Sequence, residues 1–311
     1  MKYDPKTVRK FSESLAAGNK QGLSLPLVDK DVWITYMLRE IYALPEGKHL
    51  AFKGGTCLVK AYYGYYRFSE DVDLTWVGGK IKEHDFRRNV VEQVMDSLGL
   101  EWYKDEKVKT GIAGTQSGKV MNYFFLSPEP KAQSSKLKMT VAFKETLKFP
   151  LEEIRLKTVT SNKRRLELQA LYGDAAKDYF DSATAQCYSI REIACEKIRA
   201  ILTRKAQLVR SRDIVDLYHI SGRLGGLEKA APPSAAKTKL SSVLSIPAYA
   251  KEYSRTTANL HEHLQQLARQ SGQDPVFIKR PELTKLSAFA EELEEYISKN
   301  VLVTAVGKQR I

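Results

Sequence analysis

The sequence predicts an α+β protein, with a mixed sheet in its first half followed by a mainly helical second half. Three observations lead there. Apolar residues recur at helical spacing over residues 29–44, short alternating or β-branched runs punctuated by glycine follow, and after Asn162 these give way to long helical patterns. At 311 residues the chain exceeds a typical single domain, so two units are expected, 1–165 with N-terminal helices and 166–311.

Taken in order, Val32, Trp33, Tyr36, Met37, Ile41 and Leu44 lie on a helical period, with Asp29 as the expected N-cap and Pro45 and Gly47 as terminators. Residues 49–53 read as extended, Gly54-Gly55-Thr56 as a turn, and 57–63 as a helix. The stretch 71–77 alternates acidic and apolar residues as a strand does, and Gly78-Gly79 closes it. Phe86, Val90, Val94 and Leu98 mark a helix over 82–98. Extended runs at 101–108, 119–126 and 136–143 bring the first half to four or five strands. Downstream, a short extended piece near 185–188 precedes expected helices at 189–209, 261–269 and 281–299. Residues 222–233, with three glycines and two prolines, read as a loop.

Hydrophobic residues at 43% and charged residues at 28% are those of an ordinary globular chain and exclude a disordered, collagen-like or coiled-coil protein. The formal charge of +13 favours an anionic partner such as nucleic acid, the plain alternative being solubility alone. Lys104, Lys107 and Lys109, then Lys136, Lys138, Lys144 and Lys148, then Lys163, Arg164 and Arg165 form a candidate phosphate track. Cys57, Cys187 and Cys195 have no CxxC spacing, which argues against a disulfide framework or zinc ribbon and fits a reducing cytoplasm. No window approaches the roughly 18 apolar residues of a membrane span, so no membrane partner is expected.

The densest chemistry lies in KGGTCLVKAYYGYYRFSEDVDL, from Lys53 to Leu74. Side chains two apart on a strand share a face, so Asp71 and Asp73 present both carboxylates to one side while Val72 and Leu74 face the core. Two like charges so placed repel unless cations compensate, and Mg²⁺ takes carboxylate and phosphate oxygens. A solvated edge strand is the plain alternative, because DxD spacing alone is a weak signal. The preceding Gly54, Gly55 and Thr56 strengthen the metal reading, since a glycine turn entering a helix brings backbone N–H groups and a hydroxyl to phosphate oxygens. Ser69, on the same face as Asp71, adds another hydroxyl.

The glycine turn followed by RFSEDVDL resembles the first motif of the AbiEii toxin family, within the DNA polymerase beta-like nucleotidyltransferase superfamily that includes the mycobacterial MenT toxins. Further on, REIACEKIRAILTR and SRDIVDLYHI resemble the family's helical motifs. The resemblance implies a polymerase-beta-like nucleotidyltransferase core, Asp71 and Asp73 as ligands of Mg²⁺ or Mn²⁺, and NTP as substrate. It also implies that Lys197, with Arg204 beside it, meets the triphosphate while Asp213 or Asp216 pairs with Lys197 or positions the acceptor. On physical grounds, Lys197 and Arg204 fall on or beside the apolar stripe of Ile190, Ala194, Ile201 and Leu208, where a cation needs a partner or snorkels to solvent. Asp213 and Asp216 share a face of the next helix with Leu217 and Ile220.

One departure stands out. The superfamily usually supplies a third carboxylate from a neighbouring strand, and LKMTVAFKE places Thr140 there, leaving two acids alone or a third from Glu145 or a helical aspartate. The resemblance further implies an RNA acceptor, above all the 3′ end of tRNA, with translation blocked, a role in phage defence and a separately encoded antitoxin partner. Two other readings stay open: a nucleotidyltransferase acting on a small molecule or protein, and a catalytically silent nucleic-acid-binding protein of the same fold.

Other motifs are weaker. His261-Glu262-His263 puts its histidines about 200° apart on a helix, unsuited to one metal, and reads as a solvated face. His219 reads as packed or solvent-facing, and Trp33, Trp76 and Trp102 as core. No GxSxG or Walker A sequence occurs.

Overall fold

The computed structural model describes residues 2–18, 24–103, 108–112, 119–129, 135–143, 145–159, 164–205, 211–274, 276–279 and 281–303. Of the expected basic track, Lys104, Lys107, Lys144 and Lys163 lie outside the described residues, as does the end of the expected 189–209 helix.

The chain begins with α1 (Pro5–Ala17), whose first turn is capped by the Asp4 carboxylate accepting from the Thr7 N–H at 2.9 Å. Next comes α2 (Leu25–Ala43), which is apolar on nearly every side, with Val28, Val32, Trp33, Tyr36, Met37 and Ile41 buried. The helix starts a turn earlier than expected, with Ser24 at the N-cap position and Pro26 in its first turn. Asp29 is therefore not a cap. It lies inside the helix, buried, and accepts from the Ser135 hydroxyl at 2.7 Å.

An eight-stranded mixed sheet follows among the described residues. Its strands are β1 (Leu50–Lys53), β2 (Asp71–Trp76), β3 (Glu101–Trp102), β4 (Val108–Ile112), β5 (Lys119–Leu126), β6 (Lys136–Phe143), β7 (Glu152–Arg155) and β8 (Thr184–Cys187). The order is β3-β5-β6-β2-β1-β8-β7, with β4 paired to β5 beyond β3. The pairs β2/β6 and β1/β8 are parallel, whereas β1/β2, β5/β6, β3/β5, β4/β5 and β7/β8 are antiparallel. Residues 1–165 thus hold seven strands rather than four or five: in place of the one run expected at 101–108 there are two strands, β3 and β4, and β7, at four residues, is too short to show a periodicity.

Between β1 and β2 lie α3 (Gly54–Cys57) and a π-helical continuation (Leu58–Tyr63) that ends at Gly64, where φ is +71°. The expected 82–98 helix forms as α4 (Glu83–Phe86), a π-helical middle (Arg87–Glu92) and α5 (Gln93–Leu98). One sheet face is the core: Val72, Leu74, Leu137, Met139, Val141, Tyr123 and Phe125 are buried there, with Phe86 edge-on to Trp76 and Phe143. The opposite face takes the alternate residues.

Next, α6 (Arg165–Phe180) bends at Gly173, φ +53°, and leads into β8. Contacts group α1–α6 and all eight strands into one compact unit ending at Tyr188, so residues 166–188 pack with the sheet instead of opening the helical part. The second unit is Ser189–Ile311 with Thr146–Pro150. It contains α7 (Ile190–Thr203), α8 (Ser211–Leu224), α9 (Leu227–Ala230), α10 (Pro233–Leu244), α11 (Pro247–Ala258), α12 (Leu260–Ser271) and α13 (Leu283–Asn300). The loop expected at 222–233 is interrupted by the single turn of α9. Pro233 and Pro247 begin helices, as suits a residue with a fixed φ and no N–H to leave unpaired. Lys239 is buried between Glu192 and Glu196 and joins α10 to α7, while Glu192 also accepts from the Lys148 and Phe149 N–H groups at 2.8 and 2.9 Å.

Candidate active site

In the first unit the structure brings together Gly54, Gly55, Thr56, Ser69, Asp71 and Asp73. Lys53 is opposite Asp73 in the β1/β2 ladder, so the turn leaving β1 rises beside the start of β2. Gly54 has φ +77°, and a Cβ built on it would fall 2.5 Å from Asp73 Oδ2. A Cβ on Gly55 would fall 2.3 Å from Arg67 Nη2 and 3.2 Å from Ser69 Oγ. Two glycines in succession are what let a carboxylate, a guanidinium and a hydroxyl close on one turn.

Thr56 is only 2% exposed. Its hydroxyl has one proton, which goes to the Asp71 carbonyl, an acceptor only; Ser69 Oγ lies 2.8 Å from Thr56 Oγ1 and can donate to it. Thr56 therefore ties the helix to the first residue of β2 instead of presenting a free hydroxyl. Asp71 and Asp73 are half-buried while Val72 and Leu74 are fully buried, as alternation requires.

Thr140 is the direct neighbour of Asp73 on β6, and its hydroxyl donates to Asn122 Oδ1 at 3.1 Å. Glu145, just past β6, is engaged elsewhere on the same sheet face: its Oε2 accepts from Lys53 Nζ at 2.5 Å, Tyr188 OH at 2.5 Å and Thr75 Oγ1 at 2.8 Å. Beneath the π-helical turn, Lys60 is buried, 2.8 Å from Asp31 Oδ1 and from Thr35 Oγ1, and this anchors the turn to α2. Burial, the largest influence, pulls the Lys60 pKa below its ordinary value against the pull of Asp31.

Within the second unit, Lys197, Asp213 and Asp216 converge. Lys197 Nζ lies 2.7 Å from Asp213 Oδ1 and 2.5 Å from Asp216 Oδ2, so both acids pair with it rather than one. Arg204 Nη1 is 3.5 Å from Asp213 Oδ2. Burial pushes the Asp213 carboxyl up, but Lys197 and Arg204 outweigh it and hold it below the usual carboxylate range. His261 and His263 share no site, as their spacing requires. His261 is exposed beside Glu294 at 2.7 Å, but His263 is turned inward, its Nε2 buried and its pKa lowered first by burial, so only half of that motif is a solvated face.

The family model described as "Nucleotidyl transferase AbiEii toxin, Type IV TA system" matches residues 36–295. This chain belongs to that family. A solved structure of the CD-NTase CdnG of Bradyrhizobium diazoefficiens in complex with GTP is also similar, at 12% identity over 88% of this chain and 89% of that one, with a TM-score of 0.20. At that TM-score the likeness carries no structural argument. No curated protein matches the chain.

An AbiEii nucleotidyltransferase implies an NTP and a divalent metal, and the donors fit a hard cation. Asp71 and Asp73 offer carboxylate oxygens from one face of β2, beside the Gly54-Gly55 turn. Among the described residues no three acidic, histidine or cysteine side chains group as a metal set, and Glu145 is held by Lys53, Thr75 and Tyr188. Mg²⁺ tolerates this, because it keeps waters and substrate phosphates as ligands and needs only one or two protein carboxylates.

Sequence reasoning missed Lys53, Arg67, Thr75 and Tyr188. Lys53 and Thr75 had a readable signal, since strand alternation puts Thr75 on the face of Asp71 and Asp73. Tyr188 had none, because its nearness depends on β8 pairing parallel with β1 from far along the chain.

Proposed function

We propose that this AbiEii-family chain is a cytoplasmic toxin that transfers a nucleoside monophosphate from NTP to an RNA acceptor, the 3′ end of tRNA, and so blocks translation. The observation carrying this reading is the closure of the Gly54-Gly55 turn onto Asp73, which sets a half-buried glycine backbone against the paired carboxylates. The charge of +13 supports a polyanionic acceptor, and no helix among the described residues is long and apolar enough to cross a membrane.

In the reaction, a ribose hydroxyl oxygen of the acceptor bonds to the α-phosphorus as the bond from that phosphorus to the bridging oxygen breaks. Pyrophosphate departs and the hydroxyl proton passes to water. Asp71 and Asp73 hold Mg²⁺ or Mn²⁺, which when bound supplies charge neutralisation to the phosphates. The N–H groups of Gly54 and Gly55 orient phosphate oxygens, Ser69 braces Thr56, and Thr56 keeps Asp71 in place. In the second unit, Asp213 and Asp216 hold Lys197, with Arg204 beside Asp213. Most of the acceleration comes from positioning and electrostatics. A cognate antitoxin counteracts the activity.

Purified protein incubated with each labelled NTP and total tRNA, with Mg²⁺ or with EDTA, tests the proposal. Label entering tRNA only with metal is the expected result. Label on protein or a small molecule would replace the acceptor, and no turnover with any acceptor would favour a silent nucleic-acid-binding protein, a reading that Thr140 in the third-acid position keeps open.

A further inference from the structure

The sheet face that bears Asp71 continues across three more strands as a row of alternating charge and aromatic surface. Lys138 is the direct neighbour of Asp71 on β6, Phe124 is opposite Lys138 on β5, and Tyr103, just past β3, donates its N–H to the Phe124 carbonyl at 3.0 Å. Directly opposed residues in a ladder point to the same side, so Asp71, Lys138, Phe124 and Tyr103 form one line across the sheet. At about 4.8 Å per strand the line runs roughly 14 Å from the carboxylate to the tyrosine. Lys136, one pleat further along β6 on the same face, confirms the orientation: its Nζ is 4.0 Å from the Tyr103 ring centroid and 5.3 Å from that of Phe124. Lys136 is exposed, and Lys138, Phe124 and Tyr103 are half-buried.

The core side of these strands is different. There Trp102, Tyr123 and Phe125 pack on one another as a closed aromatic cluster with Phe86. On the other side, the Lys136 ammonium stands over the Tyr103 and Phe124 rings. Aromatic faces interleaved with cations suit single-stranded nucleic acid, in which each base offers a π-face and each link a phosphate. An acidic peptide would use the lysines and leave the ring faces idle.

We infer that Tyr103, Phe124, Lys136 and Lys138 form the docking strip for the last unpaired nucleotides of the RNA acceptor, with bases stacked on the two rings and phosphates on the two lysines. The strip leads the terminal hydroxyl toward Asp71. Lys136 moves from the ring faces to a phosphate as a base takes its place. The inference deepens the reading of the chain as an RNA nucleotidyltransferase and rests on it for the direction of the strand, though not for the binding itself.

Fluorescence anisotropy with a short unstructured RNA, at several salt concentrations and without NTP, measures the strip independently of catalysis. Wild type should bind. Phe124→Leu and Tyr103→Leu keep apolar bulk and remove the π-face, and each should weaken binding on the order of ten-fold with an unchanged salt slope. Lys136→Gln should instead reduce the slope of log affinity against log salt by about 0.7, the share of one phosphate contact on a single strand. Ultraviolet crosslinking of 4-thiouridine RNA to wild type should place the adduct at Tyr103 or Phe124, which keeps the inference testable if a variant misfolds. Equal RNA affinity in all variants, a crosslink elsewhere, or an acidic peptide competing as well as RNA would overturn it. So would a rise in KM for NTP with no change for RNA. If wild type transfers label to tRNA yet the variants keep their RNA affinity, the strip fails and the activity stands; if wild type binds RNA on the strip but transfers nothing, the reverse holds.

Discussion

Gly54 and Asp73 are in such close register that a methyl group on the glycine would sit 2.5 Å from Asp73 Oδ2. The glycine also has φ +77°, a conformation that other residues adopt at a cost of about 1–3 kcal/mol. Gly54→Ala should therefore lower stability by about 1–2 kcal/mol in urea unfolding. By displacing the carboxylate it should cut nucleotide transfer roughly a hundred-fold, as a misplacement near 1 Å does. Transfer at the wild-type rate would show that the turn does not position Asp73.

Asp71 and Asp73 carry like charges on one strand face, and neutralising either relieves that repulsion. Asp71→Asn and Asp73→Asn should each leave the thermal midpoint unchanged or raised, while transfer falls by three orders of magnitude or more, about 4 kcal/mol of transition-state stabilisation. Growth inhibition in cells should vanish with it. Loss of activity together with a large drop in melting temperature would point to a structural role for the pair.

Glu145 gathers three donors on one oxygen, and that occupation predicts how it behaves with metal. Glu145→Gln should destabilise by about 1–3 kcal/mol, because Lys53 loses its carboxylate partner in a half-buried setting. The Mg²⁺ concentration giving half-maximal transfer should match wild type. A shift of that midpoint by ten-fold or more would make Glu145 a metal ligand and return the third-carboxylate role to it.

Lys197 stands between two buried carboxylates, of which Asp216 is fully enclosed. Lys197→Met should cost about 3–5 kcal/mol at neutral pH, the usual result of leaving a buried charge unpaired. The pH dependence follows from the depressed Asp213 pKa. In wild type the Asp213 contribution is present above the unfolded carboxylate pKa, about 3.9, and is lost as pH falls through the lower folded value. In the variant the carboxyls are buried without their cation and titrate upward, so stability falls as pH rises instead. Urea unfolding of both proteins from about pH 2 to about pH 8 checks the reversal; parallel profiles would contradict the ion-pair assignment.

Local chemistry made much of this protein legible. Alternation alone assigned Asp71 and Asp73 to one face and Val72 and Leu74 to the core, because a strand's period of two leaves no other arrangement. Glycine at 54 and 55, needed where backbone must pass close to other groups, located the turn, and the motif resemblance at both ends of the chain identified the family that the 36–295 match establishes. Pairing across distance was not legible in the same way. That Glu145 is held by Lys53 and Tyr188, that both acids and not one take Lys197, and that Phe124 and Tyr103 line up with Asp71 depend on which strands and helices become neighbours. Neighbourhood is settled by how the whole apolar surface is buried, a sum over the chain that no single segment carries.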